Sequence, residues 1–284
     1  MLTAVQADLY LHHLEIQSDN PLGLAKFYSS VMSMKLNKIN NKKIICNGPS
    51  RKIIITKGNN KTLSYAGMVC RSEKNLARLK SFLVQNQVQI KEFKSEIYKT
   101  GSFSILDPDD NQICFGILSD NEKLLFDGIN GPLQHVTFSS FNVEAFQEFY
   151  EKKLGFQVTD RVVKTDGTLA TCFTTSNHEH HTIACFRSDK KGIDHHSYEA
   201  GEWDHIKTWC DHFASHDIQL MWGPGRHGPG NNLFVFIEDA DGNTFAEVVD
   251  LIKPEPIKGF KSQIDEASRL QAQTGNVIAI TLSW

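Results

Sequence analysis

LHHLEI at residues 11–16 and LQHVTF at 133–138 are two copies of one pattern, and they set His13 and His135 122 residues apart. The same offset pairs Phe27-Tyr28 with Phe149-Tyr150 and MSM (32–34) with LGF (154–156). Further on, DPDDNQICF (107–115) pairs with DADGNTFAE (239–247) at an offset of 132. A chain that repeats itself in this way folds as two similar halves, here roughly 8–118 and 132–250. The expected domains are therefore 1–120 and 131–250, joined by the polar connector SDNEKLLFDGIN and followed by a tail over 251–284.

Each half divides again. A short alternating strand (11–16, 133–138) leads into an amphipathic helix. In the first half Asn20 caps that helix with Pro21 at its first position, and Leu24, Phe27, Tyr28 and Val31 form the apolar stripe. In the second half Asn142 caps, and Val143, Phe146, Phe149 and Leu154 face inward. Short strand runs follow, such as KKIIC, RKIIIT and HHTIACF, and then a second strand–helix–strand set with helices near 73–85 and 202–215. The predicted unit is β-α-β-β-β, repeated four times and paired into two domains of an α+β protein. Beyond residue 250 an irregular stretch precedes a predicted helix over 261–273 and a last strand, NVIAITLSW.

Composition narrows the function classes. A net charge of −3 gives no general attraction to nucleic acid or to an anionic membrane, and no apolar stretch approaches the roughly 20 residues of a membrane helix. The N-terminal MLTAVQADLYLHHLEI has no charged region followed by an apolar one, so no signal peptide is read there. The six cysteines are scattered, without a C-x-x-C pair, and most sit in apolar runs as small hydrophobes. Reduced thiols and a cytoplasmic location are expected.

The histidines are shared unevenly. Ten of twelve lie between 135 and 227, and NHEHHTIACF (177–186) alone holds three. Duplicated folds often keep one active half. His135 has a counterpart in His13, but Glu247 falls opposite Phe115 and His196 near Ala66 or Gly67. The first half therefore lacks two of three candidate ligands that come from three separate strands. Two neutral imidazoles and a carboxylate on one face of an octahedron suit Fe(II). His195 and His196 point to opposite faces of a strand, so only one of them can share a site with His135. In WGPGRHGPGNN, His227 sits on a loop that can approach a ligand closely, whereas Asp239–Asn243 reads as a turn between strands.

With AFQEFYEKKLGF (145–156), NHEHHTIACF, DHHSYEA, GRHGPGNN (225–232) and DADGNTFAE in this order, the chain resembles the vicinal oxygen chelate fold. Within that fold it resembles the type I extradiol ring-cleavage dioxygenases, over about 8–250 and most strongly from 131 onward. The resemblance implies metal ligands at His135, His196 and Glu247, with His196 chosen as the second histidine of its pair. It implies an acid–base histidine at His181, which lies 15 residues before His196. It also implies a substrate-side histidine at His227. His178 and His180 are left as polar loop residues. The implied cofactor is Fe(II), with Mn(II) as the alternative, and the implied reactants are an aromatic diol and O₂ in a homo-oligomer.

Two positions depart from the family pattern. Phe236 stands where a tyrosine is usual, which implies a more apolar substrate. DADGNTFAE carries one residue more than the usual spacing to the glutamate, which a β-bulge would absorb. Two rival readings remain at this point: a metalloenzyme of the same fold with isomerase or glyoxalase-like chemistry, and a non-catalytic small-molecule-binding protein of the fold.

Overall fold

The structure, a computed structural model, describes residues 2–40, 43–120 and 129–249, with the side chains of 38–40 and 246–249 outside that set. The predicted helix over 261–273, the strand from Asn276 and most of the connector lie outside the described residues. A short helix, α1 (Ala4–Ala7), opens the chain. The first module is β1 (Tyr10–Ser18), α2 (Pro21–Ser30), β2 (Lys35–Asn40), β3 (Lys43–Gly48) and β4 (Arg51–Lys57). The second is β5 (Thr62–Val69), α3 (Glu73–Gln85), β6 (Lys91–Glu92), β7 (Phe103–Leu106) and β8 (Gln112–Gly116). The second half repeats the plan with β9 (Leu133–Ser140), α4 (Val143–Gln147), β10 (Gln157–Val163), β11 (Leu169–Thr175) and β12 (Ile183–Arg187). Its last module is β13 (Gly192–Glu199), α5 (Trp203–Ser215), β14 (Trp222–Arg226), β15 (Leu233–Glu238) and β16 (Thr244–Val249). The four β-α-β-β-β units expected from the repeat are all present.

Each half closes into one eight-stranded mixed sheet. The orders are β2-β3-β4-β1-β5-β8-β7-β6 and β10-β11-β12-β9-β13-β16-β15-β14. The first strands of the two modules pair antiparallel at the centre, β1 with β5 and β9 with β13. Two faces result. The helix side packs into one apolar core that both halves share, built from residues such as Leu14, Leu24, Tyr28, Phe138, Phe146 and Trp209. Burying each such side chain contributes about 1.5–3 kcal/mol, before the entropy of ordering is subtracted. The other face of each sheet curves into a cup.

The helices begin where the sequence asks. Asn20 Oδ1 accepts from the Gly23 amide at 3.2 Å, and Asn142 Oδ1 accepts from the Ala145 amide at 3.0 Å, which satisfies donors that have no partner within the helix. The second helix departs from expectation. It is α-helical only to Gln147 and continues as a π-helix over Glu148–Leu154, ending at Gly155 with φ +72°. Among the described residues no helix is long and apolar enough to cross a membrane.

Paired tyrosines tie the halves together. Tyr28 of α2 donates to Asp239 Oδ2 at 3.0 Å, and Tyr150 of the π-helix donates to Asp107 Oδ2 at 3.3 Å. Each aspartate anchors a turn in the opposite half by accepting amides from two and four residues on. Burial pushes the Asp107 carboxyl up to about 6 against those hydrogen bonds. A hydrogen bond to a charged group contributes about 1.5–3 kcal/mol. Tyr28→Phe and Tyr150→Phe should therefore each lower stability by about 1–2 kcal/mol, with losses that add at this separation. Urea unfolding reads the effect, and unchanged midpoints in both variants would show that the contacts carry nothing.

Candidate functional site

The second cup gathers imidazoles. His135 on β9 and His195 on β13 project from the same face, with their Nε2 atoms 3.4 Å apart. His181 stacks on His135 at a centroid distance of 3.9 Å. His227 lies against Phe234 at 3.9 Å and edge-on to Phe236 at 5.9 Å. Phe236 in turn meets His195 at 5.4 Å. The structure thus brings together His135, His181, His227 and Phe236, all four expected from sequence, around His195, which was not chosen.

His196 does not join them. It occupies the opposite face of β13, fully buried, stacked on Phe245 at 5.4 Å, with Nε2 3.2 Å from the Tyr198 hydroxyl and 3.5 Å from that of Tyr28. The cause is strand alternation. His195 pairs with Thr137, two positions from His135 on one face, whereas His196 pairs with Val136 on the other. His196 and His135 therefore cannot share a coordination sphere in this fold, which corrects the expectation that His196 joins His135; the histidine of the pair that faces it is His195. Burial holds His196 neutral, with its pKa pushed down to about 3. Its role here is in the core between the halves.

Glu247 pairs in register with Tyr198 and Val235, and its side chain lies outside the described residues. The bulge expected to absorb the extra residue of DADGNTFAE does not form. The β13–β16 ladder runs from His195↔Thr244 to Glu199↔Val248 without a shift, so Glu247 takes a register position with the core residues Tyr198 and Val235, on the face of His196, and the expectation that it joins His135 is corrected.

Each histidine of this facing pair has a partner behind it. His135 Nδ1 lies 2.8 Å from Gln134 Oε1, and His195 Nδ1 lies 2.7 Å from Asp194 Oδ2. Both partners are oxygen acceptors, so both histidines carry their proton on Nδ1. Their Nε2 atoms then face each other at 3.4 Å. Burial, with the nearby imidazoles of His195 and His227 adding to it, holds His135 well below the usual histidine range. Imidazoles backed by acceptors are a donor type that divalent transition metals take. The two facing imidazoles fit a metal ion as part of a donor set, and among the described residues no group of three His, Cys, Asp or Glu side chains completes it.

The acid–base candidate is oriented in the same way. His181 Nδ1 is 2.9 Å from His180 Nδ1, and His180 Nε2 is 3.1 Å from Asp160 Oδ2. A carboxylate only accepts, so His180 donates from Nε2, and the tautomer with its proton there accepts at Nδ1. His181 then donates from Nδ1 and keeps a lone pair on Nε2. Burial, followed by the His135 imidazole, holds His181 well below the usual histidine range. Of the three histidines in NHEHH, His181 faces the cup, His180 supports it, and His178 is an exposed partner of Glu179.

The glycine-rich loop closes over this group. At Gly230, with φ +73°, a Cβ would lie 2.6 Å from His180 Nδ1, so the backbone approaches that ring only because no side chain stands there. Phe173, Phe186, Trp222, Phe234 and Phe236 wall the cup. The Thr137 hydroxyl, opposite His195, is buried without a hydrogen-bond partner.

The first half shows the same frame filled in. His13 matches His135, but Tyr65 stands at the register position of His195, edge-on to His13 at 5.4 Å. Tyr98 and Phe93 pack into the same space. Aromatic side chains occupy what is a site in the second half.

Comparison with known proteins follows this geometry. Residues 133–246 match the family model of the Glyoxalase/Bleomycin resistance protein/Dioxygenase superfamily. Metapyrocatechase 2 of Cupriavidus necator is 26% identical over 111 residues, 39% of this chain and 34% of that protein. Metapyrocatechase of Pseudomonas sp. (strain CF600) is 26% identical over 110 residues, 38% of this chain and 36% of that protein. The match therefore spans about a third of the length of these curated relatives. Homoprotocatechuate 2,3-dioxygenase of Brevibacterium fuscum, in complex with 3,4-dihydroxyphenylacetate, superposes with a TM-score of 0.74 at 18% identity, over 88% of this chain and 84% of that one. The enzyme of the same name from Arthrobacter globiformis gives 0.74 at 17%, over 88% and 83%. The fold is that of the vicinal oxygen chelate proteins.

Proposed function

We propose that this chain, whose second half is a domain of the glyoxalase superfamily, is a non-haem Fe(II) extradiol dioxygenase that opens the ring of a catechol-type diol with O₂. The observation that carries the reading is the pair of buried imidazoles, His135 and His195, with Nε2 atoms 3.4 Å apart beside His181 and His227. These two would hold the metal; Glu247, expected from sequence as the carboxylate, takes a register position with Tyr198 and Val235 on the core face, the face of His196, and is not assigned with them. Iron is the proposed ion and manganese the alternative. When bound, a ferrous ion supplies redox chemistry and open positions for oxygen donors.

The remaining work falls to the chain. The aromatic walls exclude water and favour a flat apolar ring. His181 presents an Nε2 lone pair into the cup, placed to take a proton from a substrate hydroxyl and later to return it. His227, carried over the cup by its loop, is placed to hydrogen-bond a substrate oxygen. The aromatic plug of the first cup argues against a centre that draws ligands from both halves, as a glyoxalase-like lyase would need.

The test is anaerobic purification, an iron assay and O₂ uptake with a panel of catechols. A protein that binds iron near one per chain and consumes O₂ with at least one diol supports the reading; one that binds no metal contradicts it. Phe236 sets the expected preference. A phenyl ring beside His195 and His227 donates no hydrogen bond to a diolate, and a charge-assisted bond is worth roughly 1.5–3 kcal/mol. Simple catechol should be a poorer substrate than an aryl-substituted one, and Phe236→Tyr should narrow the gap by about tenfold or more. Equal kcat/KM for the two diols in the parent would show that position 236 does not meet the diol.

A further inference from the structure

Both halves carry the same two β-bulges, and only the second half uses them to aim histidines. On β9, His135 pairs with Ser197 and Leu133 with Tyr198, so Gln134 is left unpaired. On β13, Ile193 pairs with Phe138 and His195 with Thr137, so Asp194 is left unpaired. In the first half the corresponding shifts leave out His12 and Ser64. A bulge sets two residues against one and re-aims their side chains. Neighbours that alternation would send to opposite faces are thereby brought together. That is how Gln134 reaches the ring of the residue after it at 2.8 Å, and Asp194 does so at 2.7 Å.

The two bulge residues are themselves held. Asp194 Oδ1 accepts from the Ser139 hydroxyl at 3.1 Å. Gln134 Nε2 donates to Glu199 at the end of β13, and to Glu179 Oε2 at 3.2 Å. Those two carboxylates only accept, so the amide of Gln134 has one orientation, with its oxygen toward His135. Glu179 lies in the loop that ends at His181. One side chain therefore connects the ring of His135 to the segment carrying the acid–base candidate.

We infer that Gln134 and Asp194 are positioning residues: through the duplicated bulges they fix the Nδ1–H form of His135 and His195 and turn both Nε2 atoms into the cup. The inference rests on reading the cup as a metal centre, but its first test does not need metal. In metal-free protein, long-range ¹⁵N–¹H NMR assigns the tautomer of each ring. The parent should show both histidines as Nδ1–H. Gln134→Met should release His135 into a mixture containing Nε2–H, and Asp194→Leu should do the same for His195. Asp194→Asn keeps an acceptor and should retain the parent tautomer.

The second test is Co(II) affinity by competition titration at fixed pH. Loss of an outer partner typically costs 10–100-fold. That loss is expected for Gln134→Met and Asp194→Leu, with substantial recovery in Asp194→Asn. Parent histidines in the Nε2–H form, or Met and Leu variants with the parent tautomer and affinity, would overturn the inference. A parent that binds no Co(II) but whose variants lose the Nδ1–H form would uphold the positioning role and overturn the metal reading instead.

Discussion

Alanine at His195 empties the metal centre, as does alanine at His135, while His196→Gln binds iron within a few-fold of the parent. This is the expected result of a metal assay on the three purified variants, and it is the reverse of what the family spacing implies for the HH pair. The physical basis is the β9–β13 ladder, which sets His195 and His135 on one face and His196 on the other. Each of the first two variants removes one of the two Nε2 atoms that face each other at 3.4 Å. His196→Gln instead disturbs a ring packed among Tyr28, Tyr198 and Phe245, so its cost should appear as lowered stability. Glu247→Gln belongs in the same assay and, from a register position shared with Tyr198 and Val235, should keep its iron as well. Full iron in His195→Ala with none in His196→Gln would mean that β13 sits one residue out of the register described here, since a one-residue slip exchanges the faces of a whole strand.

The repeat made the architecture legible because duplication leaves marks that do not depend on packing detail. His13 and His135, the caps Asn20 and Asn142, and the paired aspartate turns each announce an element boundary by local chemistry. His181, His227 and Phe236 were legible for a related reason, since each sits in a short motif whose order along the chain is distinctive. What could not be read was the face of an individual strand residue near a bulge. Bulges at Gln134 and Asp194 change which neighbours share a face, and nothing in GPLQHV or KGIDHH announces them. For the same reason Gln134 and Asp194 went unnoticed, as strict alternation sends each away from the histidine that follows it. His180 was set aside because two adjacent loop histidines offer no periodicity at all. Its partner Asp160 is 20 residues away on β10, a contact only the folded sheet creates.

His181→Phe should bind metal and substrate as the parent does and lose most of its turnover. A positioned acid–base group typically contributes about 10²–10⁴-fold, so kcat should fall by that factor while the substrate affinity measured anaerobically stays within a few-fold. Phenylalanine keeps the stacking area against His135 and the edge contact with Phe173, so the fold around the cup should survive the exchange. What it removes is the Nε2 lone pair, which the chain Asp160–His180–His181 leaves pointing away from its own hydrogen bonds. That chain also sets the rank of a second variant. His180→Gln leaves the His181 ring in place but loosens the tautomer, so its kcat should lie between those of the parent and His181→Phe. If His181→Phe turns over within a few-fold of the parent, the lone pair is not the base, and His227 becomes the group to test. If His180→Gln is as slow as His181→Phe while iron and substrate binding are intact, tautomer control through His180 and Asp160 is as important to the proton transfer as the ring that carries it.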